Sequence, residues 1–185
     1  DAEAHLRTAL ALVTRVHGAR SVEVARTLND LVAARRAAGN FAGADSLLRE
    51  ALALVDALPV RADDVRWALL SHRGSLANDE GRPADAERLH REALTLARAH
   101  FGPASDEAAQ SLGNLGVALG QQSRWTDAVA MHRVATAIIT RNHPGDHVQV
   151  AEALNALATA LDIAQQPAAA DSAYQRTLAM RARLY

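Results

Sequence analysis

His143 and His147, four residues apart, are the first pair whose types and spacing suggest chemistry: on a helix both imidazoles would share one face as metal ligands. Pro144 and Gly145 lie between them and break any such helix, so the pair reads as a turn and no metal is expected. His90 and His132 stand 42 residues apart, in a slot that Leu48 and Tyr174 fill at the same interval, and they read as packing residues. Serine, histidine and aspartate are scattered, and there is no Gly-rich phosphate loop, no His-Glu-x-x-His and no Gly-x-Ser-x-Gly. The reading is of a chain with no catalytic residues and no cofactor, not an enzyme.

Composition narrows the classes further. The 185 residues hold 20 basic and 21 acidic side chains, a net charge of -1, which lacks the basic excess that nucleic-acid binding needs. There is no cysteine, so neither a disulfide framework nor a thiolate zinc site is available. No apolar run approaches the roughly 20 residues of a membrane span, and the chain reads as cytoplasmic. Every basic residue is arginine, the codon bias of a GC-rich bacterial genome. Hydrophobic residues make up 49% but aromatic ones only 3%, so small and aliphatic side chains must build the core.

The elements that position these residues repeat. Ala44-Asp45-Ser46-Leu47-Leu48-Arg49-Glu50-Ala51-Leu52 recurs as Ala86-Glu87-Arg88-Leu89-His90-Arg91-Glu92-Ala93-Leu94, and again from Ala2, Ala128 and Ala170, each step 42 residues without a gap. Leu28, Leu70, Leu112 and Leu154 keep the same interval. Each unit reads as two helices. Leu28, Leu31, Val32 and Leu112, Leu115, Leu119 mark one face of the first, and Ala44, Leu47, Leu48, Ala51, Leu52 and Val55 a broad stripe on the second. Breakers divide them at Gly39-Asn40, Gly81-Arg82, Ser123-Arg124 and Gln165-Gln166, and Ser21, Asp63, Ser105 and Asp146 are N-cap candidates. Ala44, Ala51, Ala86, Ala93, Ala128, Ala135 and Ala170 are the small residues at which paired helices approach. Trp67 and Trp125 read as packing residues, Trp125 at the turn between helices.

Helix pairs with Leu-x-x-Leu-Gly/Ala, then Gly-x-aromatic-x-x-Ala, then Ala-Leu, resemble the tetratricopeptide repeat (TPR) family. The 42-residue period and His147-Val148-Gln149-Val150-Ala151, followed by Leu154-Asn155-Ala156-Leu157-Ala158, resemble the longer repeats of kinesin light chain, which large bacterial signalling proteins also carry. Arg73 departs from the family pattern where a core Leu is usual, and Pro83 and Pro167 depart where an aromatic follows the turn. The resemblance implies an all-α fold, a right-handed α-α superhelix or TPR solenoid of antiparallel hairpins. As a single domain over 1–185, it would hold a partial repeat at 1–17 (second helix only) and full repeats at 18–59, 60–101, 102–143 and 144–185. A chain that starts inside a second helix is expected to be part of a larger, bacterial multidomain protein.

The resemblance further implies that the first helix of each unit lines a concave groove that takes an extended peptide or helical segment. Carried over by position, the groove residues are Arg26, Asn29, Asp30 and Arg36, then Ser71, His72, Ser75 and Asn78. Gln110, Asn114 and Gln121 follow, then Glu152, Asn155 and Thr159, with Val117 on the same faces. Asn both donates and accepts, which suits it to a peptide backbone. Asp30 and His72 stand where a carboxylate clamp would need Asn, so that variant is not expected. The expected partner is a protein or peptide, with no nucleic acid and no membrane. The alternatives are end-to-end self-association and an intramolecular regulatory element of a kinase, NTPase or protease.

Overall fold

Small side chains at a fixed interval become helices at a fixed interval. The computed structural model describes residues 2–185, Ala2 through its backbone alone; Asp1, the first residue of the expected partial repeat, lies outside the described residues. Every regular element among them is an α-helix. The chain forms two compact units, Asp1–Arg82 and Pro83–Tyr185. The first holds α1 (Ala2–His17), α2 (Val22–Ala37), α3 (Phe41–Asp56) and α4 (Asp63–Asp79). The second holds α5 (Pro83–His100), α6 (Asp106–Gln121), α7 (Trp125–Asn142), α8 (Val148–Ile163) and α9 (Pro167–Leu184). Phe41, Pro83, Trp125 and Pro167 each open a second helix at the 42-residue step. Proline is at home there, because a first-turn N–H has no partner within the helix.

Four identical stops separate first from second helices. Gly39, Gly81, Ser123 and Gln165 adopt left-handed φ of 72°, 72°, 61° and 56°. In each case the next backbone N–H reaches back to a carbonyl five residues earlier: Asn40 to Arg35, Arg82 to Ala77, Arg124 to Leu119 and Gln166 to Leu161. This is the Schellman closure, which satisfies carbonyls that the helix end leaves open.

The starts are less uniform. Ser21 and Ser105 cap α2 and α6 as expected, accepting from Val24 N and Ala108 N. Asp63 does not cap α4: it lies inside the first turn, and Ala62 holds the cap position without a side-chain bond. Nor does Asp146 cap α8, where Nδ1 of His147 accepts from Gln149 N instead. Asp146 turns to the Arg183 guanidinium, with bonds of 2.7 and 2.8 Å.

The core of the first unit runs from Val24, Leu28 and Leu31 through Ala44, Leu48 and Ala51 to Val65 and Leu69. In the second, Val129, Ala158, Leu161, Ala170 and Ala173 form a cluster that Leu157 and Tyr174 cover. The seven alanines expected at close approaches are all buried. His90 and His132 are buried at 0% and 6% exposure, as packing residues should be. Arg73 is exposed, and α4 builds its core from Val65, Leu69, Leu70, Leu76 and Ala77.

One carboxylate organises the second unit. Glu87 of α5, only 7% exposed, accepts from Nε2 of Gln122 at 2.7 Å and from Nη1 of Arg124 at 2.9 and 3.1 Å. It also pairs with Arg91. Burial pushes this carboxyl up, but the Gln122 and Arg124 bonds and the Arg91 and Arg124 charges outweigh it, so it is held below the usual carboxylate range.

Candidate functional site

The first helices of the first unit, α2 and α4, are joined by ion pairs at both ends of the face they share. Arg26 bonds Asp64 at 2.6 Å. Arg36 sends Nε to Asp79 at 2.9 Å and Nη1 to Nδ1 of His72 at 3.3 Å. Guanidinium only donates, so the imidazole accepts and must be neutral there. Burial first, and then the Arg36 charge, push His72 down to about 4. Asp79 therefore joins Arg36 and His72 in one cluster.

Three other expected groove residues share an unusual property. Oδ1 of Asn29, Oγ of Ser71 and Oδ1 of Asn78 are shielded from solvent and make no hydrogen bond. Ser71 is 6% exposed as a whole; Asn29 and Asn78 are partly buried. Buried acceptors are nearly always satisfied, and leaving one bare costs roughly 1–3 kcal/mol. Ser75 is partly buried and Asp30 exposed.

In the second unit, α6 and α8 present a different surface. A hollow of about 500 Å³ opens between them, bounded on the α6 side by Gly116, Val117, Gly120 and Gln121. Ala156, Thr159, Ala160 and Ile163 bound it on the α8 side. Its floor is Trp125 and His132 of α7. Both rings lie against glycines: a Cβ on Gly120 would meet Cζ3 of Trp125 at 2.6 Å, and one on Gly116 would meet Nε2 of His132 at 2.7 Å. Val117 and Ile163 remain 46% and 47% exposed at its mouth. Burial lowers the affinity of His132 for a proton, so the floor is uncharged near neutral pH.

The hollow brings together Val117, Gln121 and Thr159 of the expected groove faces. Oγ1 of Thr159 donates to the Asn155 carbonyl and lies 3.4 Å from the Tyr174 hydroxyl. Asn114 and Asn155 are partly buried and Gln110 is exposed. Glu152 borders another, smaller hollow of 260 Å³, with Val148, Arg181 and Tyr185. Ile163, Trp125 and the two glycines were not expected in a binding face. The signal available was the glycine pair Gly116 and Gly120 four residues apart in a helix, followed by the largest side chain of the turn.

The histidine turn has structural duties. His143 bonds Asp106 at 2.6 Å, and its ring stacks on His147 at 4.3 Å. Among the described residues no group of three or more His, Cys, Asp or Glu is placed to hold a metal ion, and no helix is long and apolar enough to cross a membrane.

Hairpins of one fixed period, with polar first-helix faces, define a helical-repeat protein of the kind whose neighbours bury each other's apolar sides. The model of the tetratricopeptide repeat family matches residues 1–57 and 64–141, and the chain belongs to that family. No curated protein sequence matches it significantly. Among solved structures it is similar to BtubC (BKLC) from P. vanneervenii, at 18% identity over 99% of this chain and 91% of that one, with a TM-score of 0.63. A Podosopora anserina putative kinesin light chain with nearly identical TPR-like repeats gives 17% identity over 98% and 86%, with a TM-score of 0.71. The TPR domain of Arabidopsis FLU gives 21% over 66% and 99%, with a TM-score of 0.58. At these identities the likeness is one of fold, to kinesin-light-chain-like repeats as the residues around Leu154 led us to expect. TPR repeats generally serve as non-catalytic protein–protein interaction scaffolds, and the chain carries that scaffold.

Proposed function

We propose that the chain binds a peptide segment of a partner protein along the first-helix faces, as the recognition part of a larger bacterial protein. The supporting observation is the trio of bare acceptors, Asn29 Oδ1, Ser71 Oγ and Asn78 Oδ1, all at positions the repeat assigns to the groove. A peptide backbone brings N–H donors at regular intervals, and a turn of the partly exposed Asn29 or Asn78 amide toward one of them replaces an unsatisfied group with a bond. The Arg26–Asp64 and Arg36–Asp79 pairs hold α2 and α4 in register, so little ordering remains to be done on binding. No catalytic step is part of this reading.

A display library of random peptides, selected on the chain, tests it. Selected peptides should bind the Asn29→Ala/Asn78→Ala variant at least about ten-fold more weakly, one lost bond being worth about that factor. The thermal midpoint of the free variant should not fall below that of the parent, since neither Oδ1 is hydrogen-bonded without a ligand and alanine suits a helix better than asparagine. Selection of no peptide, or of peptides indifferent to the double substitution, would sink the reading.

A further inference from the structure

The hollow between α6 and α8 departs from the repeat that surrounds it. At the register of Gly120 the earlier first helices carry Arg36 and Asn78, and at that of Gln121 and Ile163 stands Asp79. There an ion pair closes the face; here glycine, alanine, valine and isoleucine leave an open, apolar depression. Two half-exposed aliphatic side chains at the mouth of a pocket floored by an indole are what a protein presents to an apolar side chain from outside.

The two helices that bound the hollow are charged with one sign. Helices α6 and α8 carry Asp106, Glu107, Glu152 and Asp162 and no arginine or lysine. Asp106 is occupied by Asn142 and His143. Asp162 adjoins Ile163 at the edge of the hollow, and Glu152 lies seven and ten residues before Thr159 and Asp162 on the same helical face. Glu107 stands in the same relation to Asn114 and Val117 on α6. Arg124, beside Trp125, is held by Glu87 and Asp127, and Arg133, beside His132, bonds Gln166. Arg181 lies beyond Glu152, at the smaller hollow.

We propose that this hollow is a docking pocket for one aliphatic or aromatic side chain of a partner peptide, in which that residue is flanked by arginine or lysine. The apolar residue fills the space over Trp125, and the flanking cations face Asp162 on one side and Glu107 and Glu152 on the other. Charge complementarity of this kind selects the partner and speeds encounter, while the buried side chain holds it. The proposal rests on the first-helix face being the binding face, and adds which peptides it accepts.

Three blocked synthetic peptides supply the test: Gly-Ser-Arg-Leu-Arg-Ser-Gly, the same peptide with both Arg replaced by Glu, and the same peptide with Leu replaced by Ser. Binding is read from Trp125 fluorescence in a Trp67→Phe background. The Arg-Leu-Arg peptide should bind at least about ten-fold more tightly than either of the others, and its advantage should shrink as salt rises. Ala156→Leu, which fills the hollow from a partly exposed position, should remove that advantage while leaving helix content by circular dichroism unchanged. Asp162→Asn should narrow the gap between the Arg and Glu peptides. Equal binding of all three peptides, or an Arg-Leu-Arg affinity untouched by Ala156→Leu, overturns the pocket. If library-selected peptides still depend on Asn29 and Asn78 but ignore Ala156→Leu, the pocket falls and the groove reading stands.

Discussion

The indole of Trp125 lies flush against the backbone of α6 at Gly120, so close that a single methyl group there would sit 2.6 Å from Cζ3 of the ring. Gly113, two turns earlier on the same helix, has nothing within 4 Å of where its Cβ would be. Two glycines in one helix thus serve opposite ends, one admitting a ring and the other only loosening the backbone.

Alanine scanning of the pair should therefore split in sign. Gly113→Ala gains helix propensity without a clash and should raise stability by about 1 kcal/mol. Gly120→Ala gains the same propensity but drives a half-buried ring out of place, and should end about 1–3 kcal/mol less stable. Urea unfolding of the two variants beside the parent decides the matter, and two shifts of the same sign would refute the account.

The four Schellman turns offer a second comparison. Gly39 and Gly81 adopt a left-handed backbone freely, whereas Ser123 and Gln165 adopt it at a steric cost. Gln165→Gly and Ser123→Gly should each stabilise by up to about 1 kcal/mol, less what glycine adds to the entropy of the unfolded chain. Thermal melts that fall for both substitutions would show that the turns are set by something other than backbone strain.

His72 makes stability depend on pH. Its ordinary pKa of 6.5 applies to the unfolded chain, while burial and the Arg36 charge bring the folded value to about 4. The unfolded chain then binds the extra proton between these limits, so this contribution is complete above about 6.5 and is lost as pH falls toward 4. The slope is at most about 1.4 kcal/mol per pH unit. His132, also lowered by burial, adds in the same direction. Urea midpoints at about pH 7 and about pH 5 should differ clearly in the parent and less in His72→Gln; an unchanged difference in the variant would rule His72 out.

What could be read from the residue order was whatever recurs. Leu28, Leu70, Leu112 and Leu154 share one register and are all buried, because a repeated helix must bury the same face each time. The stops were legible for the same reason, even where Ser123 and Gln165 replace glycine. Caps were less so, since whether Asp63 or Ala62 begins α4 turns on the path of one connecting residue. The hollow escaped because it consists of missing side chains. Gly116 and Gly120 show as ordinary helix residues until Trp125 from the next helix and Ile163 from the next hairpin are placed beside them. Similarly, Asn29, Ser71 and Asn78 look like any polar face; only three dimensions reveal that their acceptors are shielded and bare.

Glu87 carries a mechanical consequence. It belongs to α5, yet its bonds reach Gln122 and Arg124 at the elbow between α6 and α7. Packed helices can slide over one another, and here that sliding is pinned by charge-assisted bonds rather than by interchangeable methyl groups. Within the second unit, parting α5 from the α6–α7 elbow would therefore have to break oriented bonds as well as open apolar contacts.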